Sequence, residues 1–172
     1  DMNEFLTNFL TETKISKLNS LSEYMKVLKQ FKTISSNQIK PGHFYAMSPY
    51  EFSHEYPEEV LKYFDTHPLI ICLSHRDPER FYGCNFHFLH VLTRSWFLNR
   101  IKGLNKRAFQ IPGKTKLNVN YLTIQSLLKK SKYAVRMYRF DRVKEVRQIP
   151  NHMISELVKY APPTYFMVNI KA

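Results

Sequence analysis

The stretch FYGCNFHFLH at 81–90 places Cys84, His87 and His90 three residues apart. These residue types bind metals and act as nucleophiles or bases in catalysis. The surrounding apolar residues predict a β-strand, in which Cys84 and His90 point to one face and His87 to the other. Three ligands then do not converge, and a thiol in an apolar strand should have a raised pKa. We therefore predict neither a metal site nor a catalytic site here.

The same strand carries small and polar residues at alternate positions. Gly83, Asn85 and His87 would share one face, where a glycine permits the close approach of another backbone. Buried amides and imidazoles usually bond to neighbouring loops, and the nearest candidate is the FDTHP turn that contains Asp65. We predict a structural polar pin formed by Asp65, Asn85 and His87.

The charge of the chain is concentrated in one segment. The whole sequence carries a net charge of +12, with 26 Lys and Arg residues against 14 acidic residues. Residues 94–147 hold 15 of the basic residues but only Asp141 and Glu145. This asymmetry favours a polyanionic partner, nucleic acid first and an acidic protein face second. A basic surface that is merely solvated is the remaining alternative.

The best candidate for a nucleic-acid interface is KKSKYAVRMYRFDR, in which basic and aromatic residues are interleaved. With regular alternation, Arg136, Tyr138, Phe140 and Arg142 would share a strand face, where arginine binds phosphate and an aromatic ring stacks on a base or packs in the core. No RNP, KH or helix-turn-helix signature is present, so we predict largely sequence-independent DNA binding. The candidate residues are Lys106, Arg107, Lys129, Lys130, Lys132, Arg136, Tyr138, Arg139, Arg142, Lys144 and Arg147.

Composition argues against several other classes. Only 4 glycines are present, and no glycine-rich phosphate loop or other cofactor motif appears. Cys72 and Cys84 lie in apolar runs and are predicted to be free thiols in a reducing compartment, although a disulfide between neighbouring strands is an alternative. No run is long enough for a membrane span, and the first residues lack the basic start of a secretory signal.

The elements that position these residues suggest an N-terminal arm with an amphipathic helix (1–36) and one domain (37–172). The helix at 20–32 either packs on the domain or docks on another subunit. We predict an α+β fold with a small, strongly bent antiparallel sheet or SH3-like barrel and helical connections. The predicted strands are 43–50, 68–75 and 80–90, the last two forming a hairpin, with one bent strand or two strands in 133–149 and a final strand near 164–168. The predicted helices are 56–64, 93–105, 121–131 and one after Pro150, with a basic loop at 106–120.

Three motifs in this order resemble a family of tailed-bacteriophage proteins. They are PGHFYAMSPY, YFDTHPLIICLS and RFYGCNFHFL, where family members read PG-x-hydrophobic-Y, YD-x-x-PL and FLGLNLHYLP. The part from Tyr133 onward is similar to the family's C-terminal region, so the resemblance covers about 40–168. His90 stands where the family has Pro, Cys84 and Phe86 replace Leu, and Asp141 stands near the usual His.

This resemblance implies a DNA end protector or virion structural protein, and it supplies no catalytic residues to carry over to this sequence. We therefore expect a non-enzymatic virion protein that binds or lies beside packaged DNA and is present in many copies within a symmetric particle. Residues 1–32 would dock on other virion proteins. The alternatives are an assembly protein of the neck, tail or baseplate that meets acidic partners, and a nuclease, for which the clustered carboxylates are missing.

Overall fold

A computed structural model describes residues 21–50, 63–131, 134–160 and 167–169. The predicted arm at 1–17, most of the predicted helix at 56–64 and Lys132 lie outside these residues. The last residues of that predicted helix do not continue a helix, because Tyr63–Asp65 is a strand paired with Met167–Asn169.

The strands of the domain are β1 (Thr33–Ile34), β2 (Phe44–Met47), β3 (Tyr63–Asp65), β4 (Leu69–Asp77), β5 (Arg80–Asn85), β6 (Val135–Arg139), β7 (Val146–Ile149) and β8 (Met167–Asn169). Six of them form a central antiparallel sheet in the order β1-β7-β2-β4-β5-β6. The strands β3 and β8 form a separate two-stranded sheet. The predicted hairpin is confirmed as the antiparallel pair β4–β5, and the segment 133–149 forms two strands.

Helices occupy the connections on one side of the sheet. They are α1 (Leu21–Leu28), α2 (Val91–Leu104), α3 (Lys106–Gln110), α4 (Tyr121–Lys130) and α5 (Ile154–Tyr160). The first of these lies within the predicted amphipathic helix, and its Val27 and Leu28 are buried with Phe31 in the main core. The predicted basic loop at 106–120 is wrong at its start, since α3 forms there.

Alternation along the strands divides the core into two clusters. Phe44 and Ala46 of β2 face the helices, whereas Tyr45 and Met47 face the opposite side of the sheet. Leu69 and Ile71 of β4 alternate with Ile70 and Cys72 in the same way. The strands are thus buried on both faces, which explains their nearly continuous apolar sequences.

The sheet curls into a half-barrel around the second cluster. Tyr50 follows β2 and contacts β6 through its side chain. Its hydroxyl accepts a hydrogen bond from Arg139 N at 2.9 Å, and its ring lies 5.2 Å from that of Tyr138. Because β4 and β5 separate β2 from β6 in the sheet, this contact requires strong curvature. Gly83 of β5 permits this curvature because it has no side chain. A Cβ at this position would lie only 2.9 Å from Ile70 Cδ1 of the neighbouring strand β4. The predicted α+β fold with a strongly bent antiparallel sheet is confirmed.

The predicted strand at 80–90 ends earlier than its apolar pattern suggests. β5 stops at Asn85, and Phe86–Phe88 form a short 3-10 helix. The cause is local, because the Asn85 side chain accepts a hydrogen bond from the backbone N–H of His87 at 2.9 Å and caps that turn.

Candidate nucleic-acid interface

The residues from Arg80 to Phe140 include no aspartate or glutamate. Within this stretch, α2, α3, α4 and their connections (91–131) form a segment that we call the cationic helix layer. This segment contains no acidic residue, and eight of its cations are accessible to solvent. They are Arg100, Lys102, Lys106, Arg107, Lys114, Lys116, Lys129 and Lys130. Such a surface should attract phosphate at long range.

Two asparagines fix the corners of the cationic helix layer. Asn105 lies between α2 and α3, where its Nδ2 donates to Ile101 O at 2.8 Å and to Asn118 O at 2.7 Å. Its Oδ1 accepts from Asn118 N at 2.7 Å, so this side chain joins the α2–α3 corner to the following loop. Asn120 caps α4 by accepting from Thr123 N. The basic side chains therefore extend from an ordered framework.

Aromatic rings hold several of these cations. Lys130 Nζ lies 4.9 Å from the ring centroid of Trp96, and the Arg100 guanidinium lies 5.7 Å from the same ring. Lys102 Nζ lies 5.7 Å from the Phe109 ring. Cation–π contacts of this kind restrain a side chain while its charge stays available to an anion.

One arginine of the same segment has a different role. Arg94 is buried, with its Nε donating to Leu89 O at 2.9 Å and its NH1 donating to Val158 O at 2.8 Å. It joins the start of α2 to α5 and contributes nothing to a phosphate-binding surface, although it counts in the charge of the sequence.

The basic residues on the sheet are largely engaged within the protein. Arg136 stacks over Phe88 at 4.8 Å, and Arg139 makes two hydrogen bonds to the Asp141 carboxylate, each of 3.1 Å. Arg147 donates to Glu145 Oε1 at 2.5 Å and to Phe31 O at 2.6 Å. These contacts reduce the charge that the sheet can present to an outside partner.

The prediction that Tyr138 belongs to an interface is wrong, because its side chain is buried. Only 2% of Tyr138 is exposed, and its ring stacks on Phe81 with centroids 5.6 Å apart. Its hydroxyl accepts from Asn85 Nδ2 at 3.2 Å, and burial raises the pKa of Tyr138. The curl of the sheet turns this face inward, so the ring packs in the core instead of stacking on a base.

The predicted interface residues thus separate into two groups. Lys106, Arg107, Lys129 and Lys130 lie on the cationic helix layer, whereas Arg136, Arg139 and Arg147 lie on strands, with Arg142 and Lys144 in the connection between β6 and β7. Four further cations of the helix layer, namely Arg100, Lys102, Lys114 and Lys116, were not among the predicted interface residues. The signal that could have found them is the run of sequence without acids.

A buried polar cluster lies at the end of the half-barrel. Asp65 Oδ2 accepts from Asn85 Nδ2 at 3.0 Å and contacts His87 Nδ1 at 2.5 Å, while Asp65 Oδ1 accepts from His67 N at 2.8 Å. The structure therefore places the three predicted pin residues in direct contact. All three are almost completely inaccessible to solvent.

This cluster does not form a nucleophile relay. Ser48 Oγ lies 2.7 Å from His67 Nδ1, and burial is the main cause that lowers the pKa of His67. A serine relay needs a carboxylate on the other ring nitrogen of the histidine. Asp65 instead accepts from the backbone N–H of His67, so the Ser48–His67–Asp65 grouping connects loops.

The two cysteines are free and buried on opposite faces of the sheet. Burial raises the pKa of Cys72 to about 12 and also raises that of Cys84. Neither thiol has the electropositive, accessible surroundings of a nucleophile.

Among the described residues, no cluster of three or more His, Cys, Asp or Glu side chains is placed to bind a metal ion. The same residues include no helix that is long and apolar enough to cross a membrane.

The chain is similar to a known protein family. A family model described as "Phage T4 terminal DNA protecting protein" matches residues 5–167. No curated protein and no solved structure matches the chain. The family match spans the cationic helix layer, the half-barrel and the polar cluster.

Proposed function

We propose that this chain, which belongs to the phage T4 terminal DNA protecting protein family, binds DNA. The protein would be a non-enzymatic component of a phage particle that associates with the ends of the phage DNA. It would hold duplex DNA mainly through the cationic helix layer, with the basic residues of the β6–β7 connection as a secondary contact.

The observation that carries this proposal is the absence of acidic residues from Arg80 to Phe140, combined with the exposure of the cations on α2, α3 and α4. Phosphate groups repel carboxylates, so a surface free of them attracts the DNA backbone without local penalty. Lysine and arginine that contact phosphate bind any sequence, because the backbone carries no base-specific information.

The polar cluster has a structural role in this proposal. Asp65, Asn85 and His87 would fix the turn after β3 to the end of β5, which keeps the start of α2 in place. The N-terminal residues 1–32 would provide contacts to other virion proteins. Since Val27, Leu28 and Phe31 are buried in the domain, the segment 1–20 would supply most of that contact.

The test is the salt dependence of binding to linear duplex DNA. Neutralising Lys106→Gln, Arg107→Gln and Lys129→Gln together should weaken binding to every sequence. If each residue contacts a phosphate, the slope of log K against log salt should become shallower by about 2.7, from 0.9 per phosphate. Fluorescence anisotropy over a salt series measures this slope.

A matched control separates local contacts from total charge. Lys26→Gln, Lys29→Gln and Lys32→Gln remove the same charge from exposed positions in and after α1. This control should leave the slope nearly unchanged. Equal effects of the two triple variants, or no DNA binding at low salt, would contradict the proposal.

A second candidate function is an assembly role at the neck, tail or baseplate, in which the cationic helix layer meets an acidic protein. Large exposed apolar side chains on this layer favour it, above all Leu92, which is 74% exposed. Copurification with a ring-forming virion protein, without affinity for DNA, would select this candidate. Finding the protein in purified mature particles would support both candidates over a role confined to the host cell.

A further inference from the structure

Two shallow grooves adjoin each other on the cationic helix layer and share Leu104. One groove runs between α2 and the start of α4 and is lined by Arg100, Gly103 and Leu122. The other lies beside α3 and is lined by Lys106, Arg107 and Ile111. The surface thus combines apolar side chains and cations in two neighbouring depressions that meet at Leu104.

The apolar side chains of these grooves are strongly exposed. Leu122 is 68% exposed, Ile111 52% and Leu104 45%. Leaving such side chains in water, or placing them against charged phosphates, gains nothing from the hydrophobic effect. An exposed apolar patch bordered by polar groups usually marks the site of a partner.

The side of a DNA duplex does not fit this pattern, because its outer surface consists of phosphates and sugars. The end of a duplex does fit, since the terminal base pair presents an apolar π-face that is bordered by the phosphates of the two strands. Leu104, Ile111 and Leu122 would cover that face, and Arg100, Lys106 and Arg107 would bind the phosphates around it. Apolar side chains pack on base faces in other protein–DNA complexes, and stacking on bases tolerates any sequence.

Gly103 leaves the floor of the first groove open. A Cβ built at Gly103 would meet no other atom within 4 Å, so α2 has no side chain covering the groove at this position. The same opening means that a larger residue can be introduced there without a clash inside the protein.

We propose that these adjoining grooves bind the terminal base pair of duplex DNA, and this inference rests on the DNA-binding function proposed above. The occupant is double-stranded DNA with an open end. The complementarity of an apolar centre and a cationic border, without a single acid in 80–140, supports this occupant.

The experiment compares two competitors for a labelled blunt-ended duplex. One is the unlabelled linear duplex, and the other is a relaxed closed circle of the same sequence, which has no ends. The unmodified protein should prefer the linear DNA by about tenfold or more per site, as the stacking of one or two bases would provide. The variants Leu122→Asn and Gly103→Gln should lose this preference and retain the affinity for the circle.

Two features keep the test decisive. Leu92→Asn, at an equally exposed leucine at the other end of α2, should keep the preference for ends. Both groove variants change exposed positions. Their circular dichroism should match that of the unmodified protein, and their melting temperatures should be no lower, since a side chain at Gly103 favours the helix.

Each outcome has a distinct meaning. Equal affinity of the unmodified protein for linear and circular DNA, or a preference for ends that both groove variants retain, overturns the inference and leaves DNA binding intact. Absence of binding to either DNA overturns the proposed function itself. If the groove variants leave DNA binding unchanged and abolish association with an acidic virion protein, the grooves bind protein and the inference is wrong.

Discussion

Replacement of Asp65 by alanine should destabilise the folded protein severely. Asp65 is 1% exposed, and its two oxygens contact three groups, namely Asn85 Nδ2, His67 N and the His87 ring. Alanine offers no acceptor, and the space left by the carboxylate is closed to bulk solvent. The substitution therefore leaves buried polar groups without their acceptor.

The structure gives the magnitude of the loss. A buried donor that loses its acceptor costs about 1–3 kcal/mol, so three lost contacts should cost at least about 3 kcal/mol. That is a large part of the roughly 5–15 kcal/mol that stabilises a typical domain. For a chain of this length it corresponds to a melting temperature lower by about 6–12 °C.

Urea unfolding and thermal unfolding, both followed by circular dichroism, measure the effect. The matched control is Asp141→Ala, which also removes a carboxylate that accepts two hydrogen bonds, but from Arg139 on the surface. The Asp141 side chain is 63% exposed, so its loss should cost less than about 1 kcal/mol. If Asp65→Ala does not fold, Asp65→Asn replaces it, because the amide keeps one acceptor oxygen and should give an intermediate loss.

Equal stabilities of the Asp65 and Asp141 variants would refute the structural role of the cluster. A second outcome bears on chemistry. Under the structural interpretation, folded Asp65→Asn protein should bind linear DNA as the unmodified protein does. A folded variant of full stability that lost a DNA-directed activity would instead indicate a functional site at Asp65.

Three further expectations follow from backbone geometry, protonation and burial. Gly42→Ala should cost at least about 2 kcal/mol, because Gly42 has φ +83° and a Cβ there would lie 2.4 Å from a backbone oxygen, whereas Gly103→Ala in open space on α2 should stabilise by about 0.5–1 kcal/mol; urea unfolding of both variants decides. Burial lowers the pKa of His67, so the unfolded chain binds a proton below pH about 6.5 more readily than the folded one, and stability should fall as the pH drops through that value. His67→Gln should reduce the difference between unfolding free energies at pH about 7.5 and about 5.5, and an unchanged difference would contradict the assignment. Cys72 and Cys84 should resist a thiol reagent in the folded protein at pH about 8 and react after unfolding, so fast labelling of the native protein would contradict their burial.

Local patterns predicted much of the secondary structure. The apolar run of β4 and the turn before β5 indicated a hairpin, because a short separation between two apolar runs leaves no other connection. The helix α4 also followed from spacing. The break around Phe140–Arg142 was indicated as well, although the spacing left one bent strand open as the alternative to two strands. These elements depend on neighbours within a few residues, which the sequence displays directly.

The errors came from competition between local and distant contacts. The apolar pattern suggested a strand through residue 90, but Asn85 caps a turn instead. Tyr63 looked helical, yet it pairs with Asn169 more than a hundred residues away. The pairing partner of a strand is a property of the folded chain, so spacing within one segment cannot indicate it.

The sequence by itself determined the family, the α+β class and the concentration of positive charge in one half of the chain. Charge and apolar alternation are sums over neighbouring residues, and folding does not alter them. It also determined that Asp65, Asn85 and His87 were the polar residues in need of partners.

Only the tertiary structure decided which basic residues face outward. The curl of the sheet buries Tyr138 and brings its ring against Phe81, so a residue that looked suited to base stacking became part of the core. The cations of α2, α3 and α4 remained on the surface because their helices cover the sheet with the opposite face. Burial depends on what packs against a side chain from elsewhere in the chain, and that is settled only when the sheet closes and the helices cover it.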